Sequence, residues 1–495
     1  LRKLFAGIEL QDGSEVPDIT VTDISASSTG VVNGGLFLAC RGYTQHGLEY
    51  LDDALAAQAR VVAWEPETGL AAPELPTDVV GLCVPQLGSY VGDIADRFFA
   101  APSRAMHVTG ITGTNGKTTT AWLAANALVA LGERAGYMGT LGYGIGTELE
   151  TSALTTPGCI AVHRRLRKLA DAGAKSVVVE VSSHGLDQGR IDGVNLQTAA
   201  FTNLSRDHLD YHASLDAYQK AKAKLFDVAG IESAVINIGD PFGAALARNP
   251  AGTYRLITVA IAGTAPGDQP AALTAELLEA RPDGLRVRFA GDYGSAEINS
   301  PLWGQFNVEN LLVAAGILIA SGYALDAAVK ALETTPAPPG RMQVVRGAET
   351  APLVVVDFAH TPDALAKVLL ALRAHCDGQV FAVFGCGGNR DAGKRSEMGA
   401  IAALHADRVI VTDDNPRDED PAEIVNAILT GIPADAAVEV VHDRALAIEH
   451  AINAATAADA VLIAGKGSEC FQYINGNRQP FSDVDVAARA MGVAV

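Results

Sequence analysis

The sequence predicts an α/β protein built as three domains. Three observations support this. At 495 residues the chain is long enough for about three cores at roughly 100–200 residues each. Short apolar runs alternate with amphipathic stretches, the pattern of parallel strands covered by helices. Two proline-containing breaks, Ala100-Ala101-Pro102-Ser103 and Pro336-Ala337-Pro338-Pro339-Gly340, divide the pattern where proline removes backbone donors and stops helices. The expected domains are 1–102, 103–338 and 339–495.

The last segment is the most legible. Strand-like runs are expected at Leu353–Val356, Val380–Phe384, Val409–Val411 and Val461–Ala464, with helices over Asp363–His375 and Pro421–Leu429. This predicts a Rossmann-like, doubly wound parallel sheet. Each run ends in polar or glycine-rich residues: Asp357–His360, Gly385–Gly388, Asp413–Arg417 and Gly465–Gly467. Such ends turn the chain into a helix, but in these sheets they also carry the ligand. Four of them on one sheet predict a common binding rim. The middle segment reads as α/β too, with strands at His107–Thr112, Val177–Val181 and Val235–Ile238. The N-terminal segment predicts a small mixed α/β domain whose topology is not legible.

Composition excludes several classes. The chain is 48% hydrophobic and 19% charged, with net charge -20, which predicts a soluble globular protein without a nucleic-acid or membrane surface. Small anions remain possible substrates. The six cysteines, at 40, 83, 159, 376, 386 and 470, form no CxxC pair, so a reducing, cytoplasmic location is expected. Leu1–Leu10 shows no secretory pattern. The longest apolar stretch, Leu311–Leu325, falls short of the roughly 20 residues that span a bilayer and is expected to be a buried helix.

Gly113-Thr114-Asn115-Gly116-Lys117-Thr118-Thr119 follows an apolar strand and precedes a helical pattern, Ala121–Leu131. Strand, glycine loop and helix together make a phosphate cradle: backbone N–H groups wrap oxygens and the helix N-terminus favours negative charge. Lys117 is placed to reach the β- and γ-phosphates of a nucleotide, and the Thr118 hydroxyl to ligate Mg2+. Ile111 occupies the first glycine position of the strict motif. The central P-loop domain is therefore predicted to carry a nucleoside triphosphate site. Glu180, at the end of its strand, can hold Mg2+ or cap the following turn. His208 and His212 are four apart and would share a helix face. That spacing admits zinc, although no third ligand is evident, and it equally suits hydrogen-bonded histidines. Lys220, Lys222 and Lys224 read as a solvated helix face.

Taken together, these segments resemble the Mur ligase family. The resemblance rests on Gly113–Thr119, Glu180–Gly185, Asn203–His212, Phe306–Asn310, Gly340–Met342, Asp357–Asp363, Gly385–Arg395, Asp414–Arg417 and Gly465–Gly467, in that order, and covers nearly the whole chain. It implies a domain for a UDP moiety, a central ATPase and a C-terminal domain that receives an amino acid. It implies ATP and Mg2+ as cofactors, with Glu180 and His208 as metal ligands. Lys222 matches a lysine that the family carbamylates, which would make it a further metal ligand. Asn307 and Arg341 match positions that place ATP, and Asp357 and His360 match its nucleotide-facing rim. Thr155, Thr156, Ser182, Gln188 and Arg190 match contacts to the sugar-peptide, and Ser28, Tyr43, Thr44 and Gln45 match contacts on the uridine side.

The implied activity is ATP-dependent addition of meso-2,6-diaminopimelate to UDP-MurNAc-L-Ala-D-Glu in peptidoglycan precursor synthesis, by a monomer. Specificity is implied by Asp414-Asn415-Pro416-Arg417, which the family's diaminopimelate enzymes carry. Arg417 can grip a second carboxylate in a paired fashion, whereas lysine would leave that fork unpaired at a cost of about 1–3 kcal/mol. Arg390 and Glu469 match further contacts, to carboxylate and ammonium respectively, and Gly465 lies in the same pocket. Ser468 and Asn389 stand where the family commonly has His and Asp, Ser27 and Thr29 where it has Asp and Arg, and Leu154 where it often has Asn. The other readings are a lysine-adding ligase, a folylpolyglutamate-synthase-like ligase and a nucleotide-binding protein without catalysis.

Overall fold

The computed structural model describes residues 1–42, 45–281, 284–348 and 350–493. The chain forms two compact units. One comprises Leu1–Thr109, Arg134–Gln197 and Val228–Gly230, and the other Gly110–Glu133, Thr198–Asp227 and Ile231–Val495.

The first unit opens with a four-stranded sheet, Ile24–Ser25, Leu36–Ala39, Val61–Trp64 and Val80–Cys83, in chain order. All its pairings are parallel, which resolves a topology that the sequence left illegible. Because side chains alternate along a strand, Leu36 and Leu38 enter a core with Ile24, Val61, Leu82 and Ile94 of the helix Leu87–Phe98. Phe37 and Ala39 enter a second core with Ala54 of the helix Leu51–Ala56. Further along, Ala135–Gly139 pairs in parallel with Ser176–Glu180 and antiparallel with Gly142–Ile145. Glu180 is therefore the last residue of a fully buried strand.

In the second unit, Thr198–Phe201, Ser233–Asn237 and Arg255–Ile261 run parallel, and the sheet ends in antiparallel strands Leu273–Arg281, Gly284–Gly291 and Gly294–Ser300. The apolar run at 311–325 is not one helix. Phe306–Ala320 ends before Gly322, whose φ of 96° breaks the helix, and a second helix runs Leu325–Glu333. No helix among the described residues is long and apolar enough to cross a membrane.

The same unit holds a six-stranded sheet in the order Gln343–Val345, Leu353–Asp357, Ala460–Ala464, Val380–Phe384, Arg408–Val411, Val438–Val440. Only the first strand is antiparallel. Both faces are covered. Val355, Ala382, Phe384 and Leu462 pack with Leu365, Leu369 and Met398, while Val354, Val356, Val383 and Ile463 pack with Ala447, Ile448 and Ala487. The expected strands are all present within one or two residues. Four adjacent parallel strands thus end side by side, and their carboxyl ends carry the four polar clusters.

A buried ion pair fixes the end of one of these strands. Arg444 Nε and Nη2 donate to Asp483 at 2.7 and 2.8 Å, and Nη2 also donates to the Ala464 carbonyl at 2.9 Å. Both side chains are fully buried. Removing one partner of such a pair strands a buried charge. Asp483→Ala is expected to lower unfolding free energy by about 3–5 kcal/mol, read as a shift in the urea midpoint.

Candidate functional site

The phosphate loop is held by its neighbours. Gly113 has φ 150° and Gly116 φ 83°. A β-carbon on Gly113 would lie 1.9 Å from Thr202 Oγ1, and one on Gly116 2.2 Å from Asn310 Oδ1. Only glycine lets the loop lie this close to both side chains. Thr114 N–H donates to the Asn203 carbonyl at 2.8 Å and Asn115 N–H to Asn203 Oδ1 at 3.0 Å. The helix Lys117–Ala130 then starts without a side-chain cap, so its N-terminal end can receive an anion. Lys117 Nζ donates to the Gly113 and Thr114 carbonyls at 2.9 and 2.8 Å. These bonds hold the ammonium at the loop, and a phosphate oxygen can replace them. The loop fits a nucleotide triphosphate.

The lysines at 220–224 do not form a uniformly solvated face. Lys220 is exposed and pairs with Asp216, but Lys222 is buried at 1% exposure. Its Nζ donates to the Gly113 carbonyl at 2.6 Å and lies 4.3 Å from the Tyr218 ring centroid. Burial drives its pKa well below the usual lysine value, and the Lys117 charge pushes in the same direction. Both effects work against the charged form of its amine.

His208 precedes the helix Leu209–His212 with φ 54°, so the two histidines do not share a helical face as the spacing suggested. Asp207 is buried. Its carboxylate approaches His208 Nε2 at 3.3 Å and His360 Nε2 at 3.8 Å. Burial alone would raise its pKa, but His208, His360 and Lys394 outweigh that and hold it at about 2. Burial and Lys394 keep the His360 imidazole below its ordinary pKa. Asp207 thus remains an anion that orients two imidazoles.

Around the loop, Arg341 Nη2 donates to Thr118 Oγ1 at 3.0 Å, and its guanidinium lies 4.2 Å from the Phe358 ring centroid. Asp357 accepts from the Met342 and Ala359 N–H groups, both at 2.7 Å. Burial raises its pKa despite Arg341 and these two bonds. Asn307 turns inward, donating to the Trp303 carbonyl and accepting from Asn310; of the two asparagines, Asn310 is the one against Gly116. Asn115 Nδ2 donates to Asp363 Oδ2 at 3.0 Å. Beside it opens a cavity of about 200 Å³ lined by Ser205, Asp240, Glu309, Asp363 and Lys367 among others.

In the first unit the residues expected to meet the sugar-peptide gather around Glu180. Its carboxylate accepts from the Tyr137 hydroxyl at 2.5 Å, Thr140 N–H at 2.9 Å and Thr140 Oγ1 at 3.2 Å. Thr155 Oγ1 is 3.0 Å from Thr140 Oγ1. Thr156 Oγ1 donates to the Glu180 carbonyl and accepts from Ser182 N–H. Arg190 donates to the Thr156 carbonyl at 2.7 Å and to Gln188 Oε1. Ser182 caps the helix Ser183–Asp187 by accepting from Gly185 N–H. Glu180, an oxygen ligand held by donors, suits a hard cation such as Mg2+. Ser28 is buried in a short 3-10 turn, and Gln45 accepts from the Tyr50 hydroxyl. Tyr43 and Thr44 lie outside the described residues.

The four strand-end clusters do converge. Gly465 N–H donates to the Asp357 carbonyl at 3.1 Å. A β-carbon on Gly465 would lie 2.5 Å from Asp414 Oδ2, and one on Gly388 1.9 Å from the Pro416 carbonyl. Arg417 has φ 56° and is clasped by the hairpin Phe471–Ile474/Asn477–Pro480: its N–H donates to the Tyr473 carbonyl and its carbonyl accepts from Asn475 N–H. Arg417 Nη1 donates to the Gly388 carbonyl at 2.8 Å. Among the described residues, its Nε and Nη2 have no hydrogen-bond partner. Arg390 is exposed nearby and lowers the Arg417 pKa by repulsion, after burial. Glu469 accepts from Asn415 Nδ2 at 3.0 Å.

Residues 111–318 match the family model of the Mur ligase middle domain, and residues 340–467 that of the Mur ligase glutamate ligase domain. The chain belongs to the Mur ligase family. It is 46% identical over 474 residues to the UDP-N-acetylmuramoyl-L-alanyl-D-glutamate–2,6-diaminopimelate ligase of Pseudomonas aeruginosa, covering 96% of each chain. The enzyme of that name from Xylella fastidiosa is 43% identical, with 97% of this chain and 96% of the relative covered. A solved structure of a ligase with that name superposes with a TM-score of 0.67 at 36% identity, covering 99% of this chain and 98% of the other. A Mur ligase from Thermotoga maritima, MurF in complex with ADP, shares the fold with a TM-score of 0.65 at 16% identity, covering 96% and 98% of the two chains. Like other Mur ligases, the chain is an ADP-forming amide ligase.

Asn310, Asp207, Lys394 and Lys466 were not singled out from the sequence. All four stand inside segments that carry the family resemblance, so a signal existed; their roles depend on which neighbour each side chain meets.

Proposed function

We propose that this Mur ligase adds meso-2,6-diaminopimelate to UDP-MurNAc-L-Ala-D-Glu, forming an amide and releasing ADP and phosphate. The observation that carries the choice of amino acid is Arg417: its backbone is locked by the hairpin while two guanidinium nitrogens remain for a carboxylate. Diaminopimelate differs from lysine by that carboxylate. The relatives named above point the same way.

In this reading residues 1–102 hold the UDP moiety, 103–338 bind ATP and 339–495 receive the amino acid. The protein works as a cytoplasmic monomer. Gly113–Thr119 cradles the triphosphate and Lys117 neutralises charge on the γ-phosphoryl group as the terminal D-glutamate carboxylate attacks phosphorus. ADP leaves, and the acyl phosphate offers a leaving group that a carboxylate lacks. The neutral amine of diaminopimelate, directed by Arg417, Arg390 and Glu469, then attacks the carbonyl carbon. The tetrahedral adduct collapses to the amide as the carbon–oxygen bond to phosphate breaks, and the phosphate leaves with the amine proton as hydrogenphosphate. Thr118, Glu180, His208 and carbamylated Lys222 would hold Mg2+, which when bound would supply positive charge against developing negative charge. Carbon dioxide modifies the neutral form of an amine, and burial of Lys222 lowers its pKa in that direction. Thr155, Thr156, Ser182, Gln188 and Arg190 hold the sugar-peptide, and Ser28, Tyr43, Thr44 and Gln45 its uridine end.

The test is a panel of amino acids with ATP and UDP-MurNAc-L-Ala-D-Glu, read by phosphate release and product mass. Diaminopimelate is expected to give the highest kcat/KM. Arg417→Ala should lower that value by about 10- to 100-fold, matching loss of a charge-assisted bond worth about 1.5–3 kcal/mol, while KM for ATP stays unchanged. Faster turnover of lysine than of diaminopimelate by the parent enzyme would sink the assignment.

A further inference from the structure

Lys466 stands between Gly465 and Gly467, both with positive φ. A β-carbon on Gly467 would lie 2.6 Å from the Gly340 carbonyl and 2.9 Å from Phe358 Cβ. The loop is pinched there, and Lys466 is completely buried. Its Nζ donates to Asn415 Oδ1 at 3.0 Å and to Glu469 Oε2 at 2.9 Å. Asn415 Oδ1 also accepts from Tyr473 N–H at 2.9 Å. Two donors on that oxygen determine the amide's orientation, so Nδ2 must face Glu469, to whose Oε2 it donates.

We infer that Lys466 is a positioning residue of the amino-acid subsite, holding Asn415 and Glu469 in the one arrangement that leaves a Glu469 oxygen for the substrate ammonium. Glu469 Oε2 is taken twice, while Oε1 accepts nothing among the described residues, and the side chain is 27% exposed. One ammonium thereby ties together the segments that follow Ala460–Ala464 and Arg408–Val411, two strands separated in the sheet by Val380–Phe384, and, through the shared Asn415 oxygen, the hairpin that clasps Arg417. The same charge offsets that of Glu469 and leaves the unpaired guanidinium nitrogens of Arg417 to attract a carboxylate. The desolvation of a buried ammonium offsets much of what its ion pair gains, so such a pair adds little net stability. Its contribution here is therefore to orientation.

The inference rests on the amino-acid subsite proposed above. Lys466→Met, Glu469→Gln and the double variant are to be assayed for KM of diaminopimelate, ATP and the sugar-peptide, with thermal melting as a fold control. Lys466→Met is expected to raise KM for diaminopimelate by about tenfold or more, with the other two KM values within about twofold. In the Glu469→Gln background the same substitution should change KM by less than about threefold, because the two residues act as one unit. Parallel rises in all three KM values, or losses that multiply in full in the double variant, would overturn it. Should Lys466→Met fail to fold, Lys466→Gln, which keeps a donor but no charge, replaces it in the same cycle, where the same KM changes support or overturn the role. If the parent enzyme turns over lysine instead, the diaminopimelate assignment fails, yet the cycle run with lysine still decides the role of Lys466.

Discussion

Lys117→Ala is expected to lower kcat/KM by about 100- to 1,000-fold, the loss typical of removing one preorganised donor from a charged transition state. The ammonium is already at the loop, bonded to the Gly113 and Thr114 carbonyls. Reaching a γ-phosphate requires only that these bonds be exchanged, so little reorganisation opposes the reaction. Alanine removes the charge and leaves the glycine loop and the helix N-terminus, which still bind the α- and β-phosphates through backbone N–H groups. Most of the deficit should therefore appear in kcat, with weaker ATP binding as a smaller component. Phosphate release gives kcat, and titration with a fluorescent nucleotide gives the affinity. A drop in ATP affinity large enough to account for the entire loss, with kcat intact, would contradict the assigned role.

Lys222→Met is expected to have an effect of comparable size, about 100-fold or more on kcat, if the residue carries a metal-binding carbamate. Methionine is unbranched, one atom shorter than lysine and apolar in a fully buried position, so the fold should survive. A carbamate resonance after exchange into carbon-13 bicarbonate should be present in the parent protein and absent in the variant. The unmodified amine has a further signature. Burial and then Lys117 lower its folded pKa well below 10.5. Between that lowered value and 10.5 the unfolded chain binds more protons than the folded one, so stability rises with pH across this window. Urea midpoints measured in carbon-dioxide-free buffer should climb with pH in the parent protein more steeply than in Lys222→Met. Equal slopes would show that Lys222 titrates normally.

The parts of this molecule that were legible are those encoded by local pattern. The doubly wound sheet was readable because its strands, such as Val380–Phe384, are continuous apolar runs separated by amphipathic helices. The phosphate loop was readable because glycine, lysine and threonine follow a strand at fixed spacing. The N-terminal sheet was not, since its strands have four or fewer residues and too little period to register. The break at Gly322 was hidden because apolar residues continue on both sides of it.

Sequence alone determined that strands end in glycine, aspartate, asparagine and arginine, and that the segment order is that of a Mur ligase. Tertiary structure alone decided where the long side chains go. Lys220 and Lys222 are two residues apart in one helix, yet one is solvated and the other buried against Tyr218 and the Gly113 carbonyl. Lys466 looks like a loop lysine until segments that follow two separate strands of the sheet close on it. Burial of a charge is decided by partners far away along the chain, and no local period carries that information.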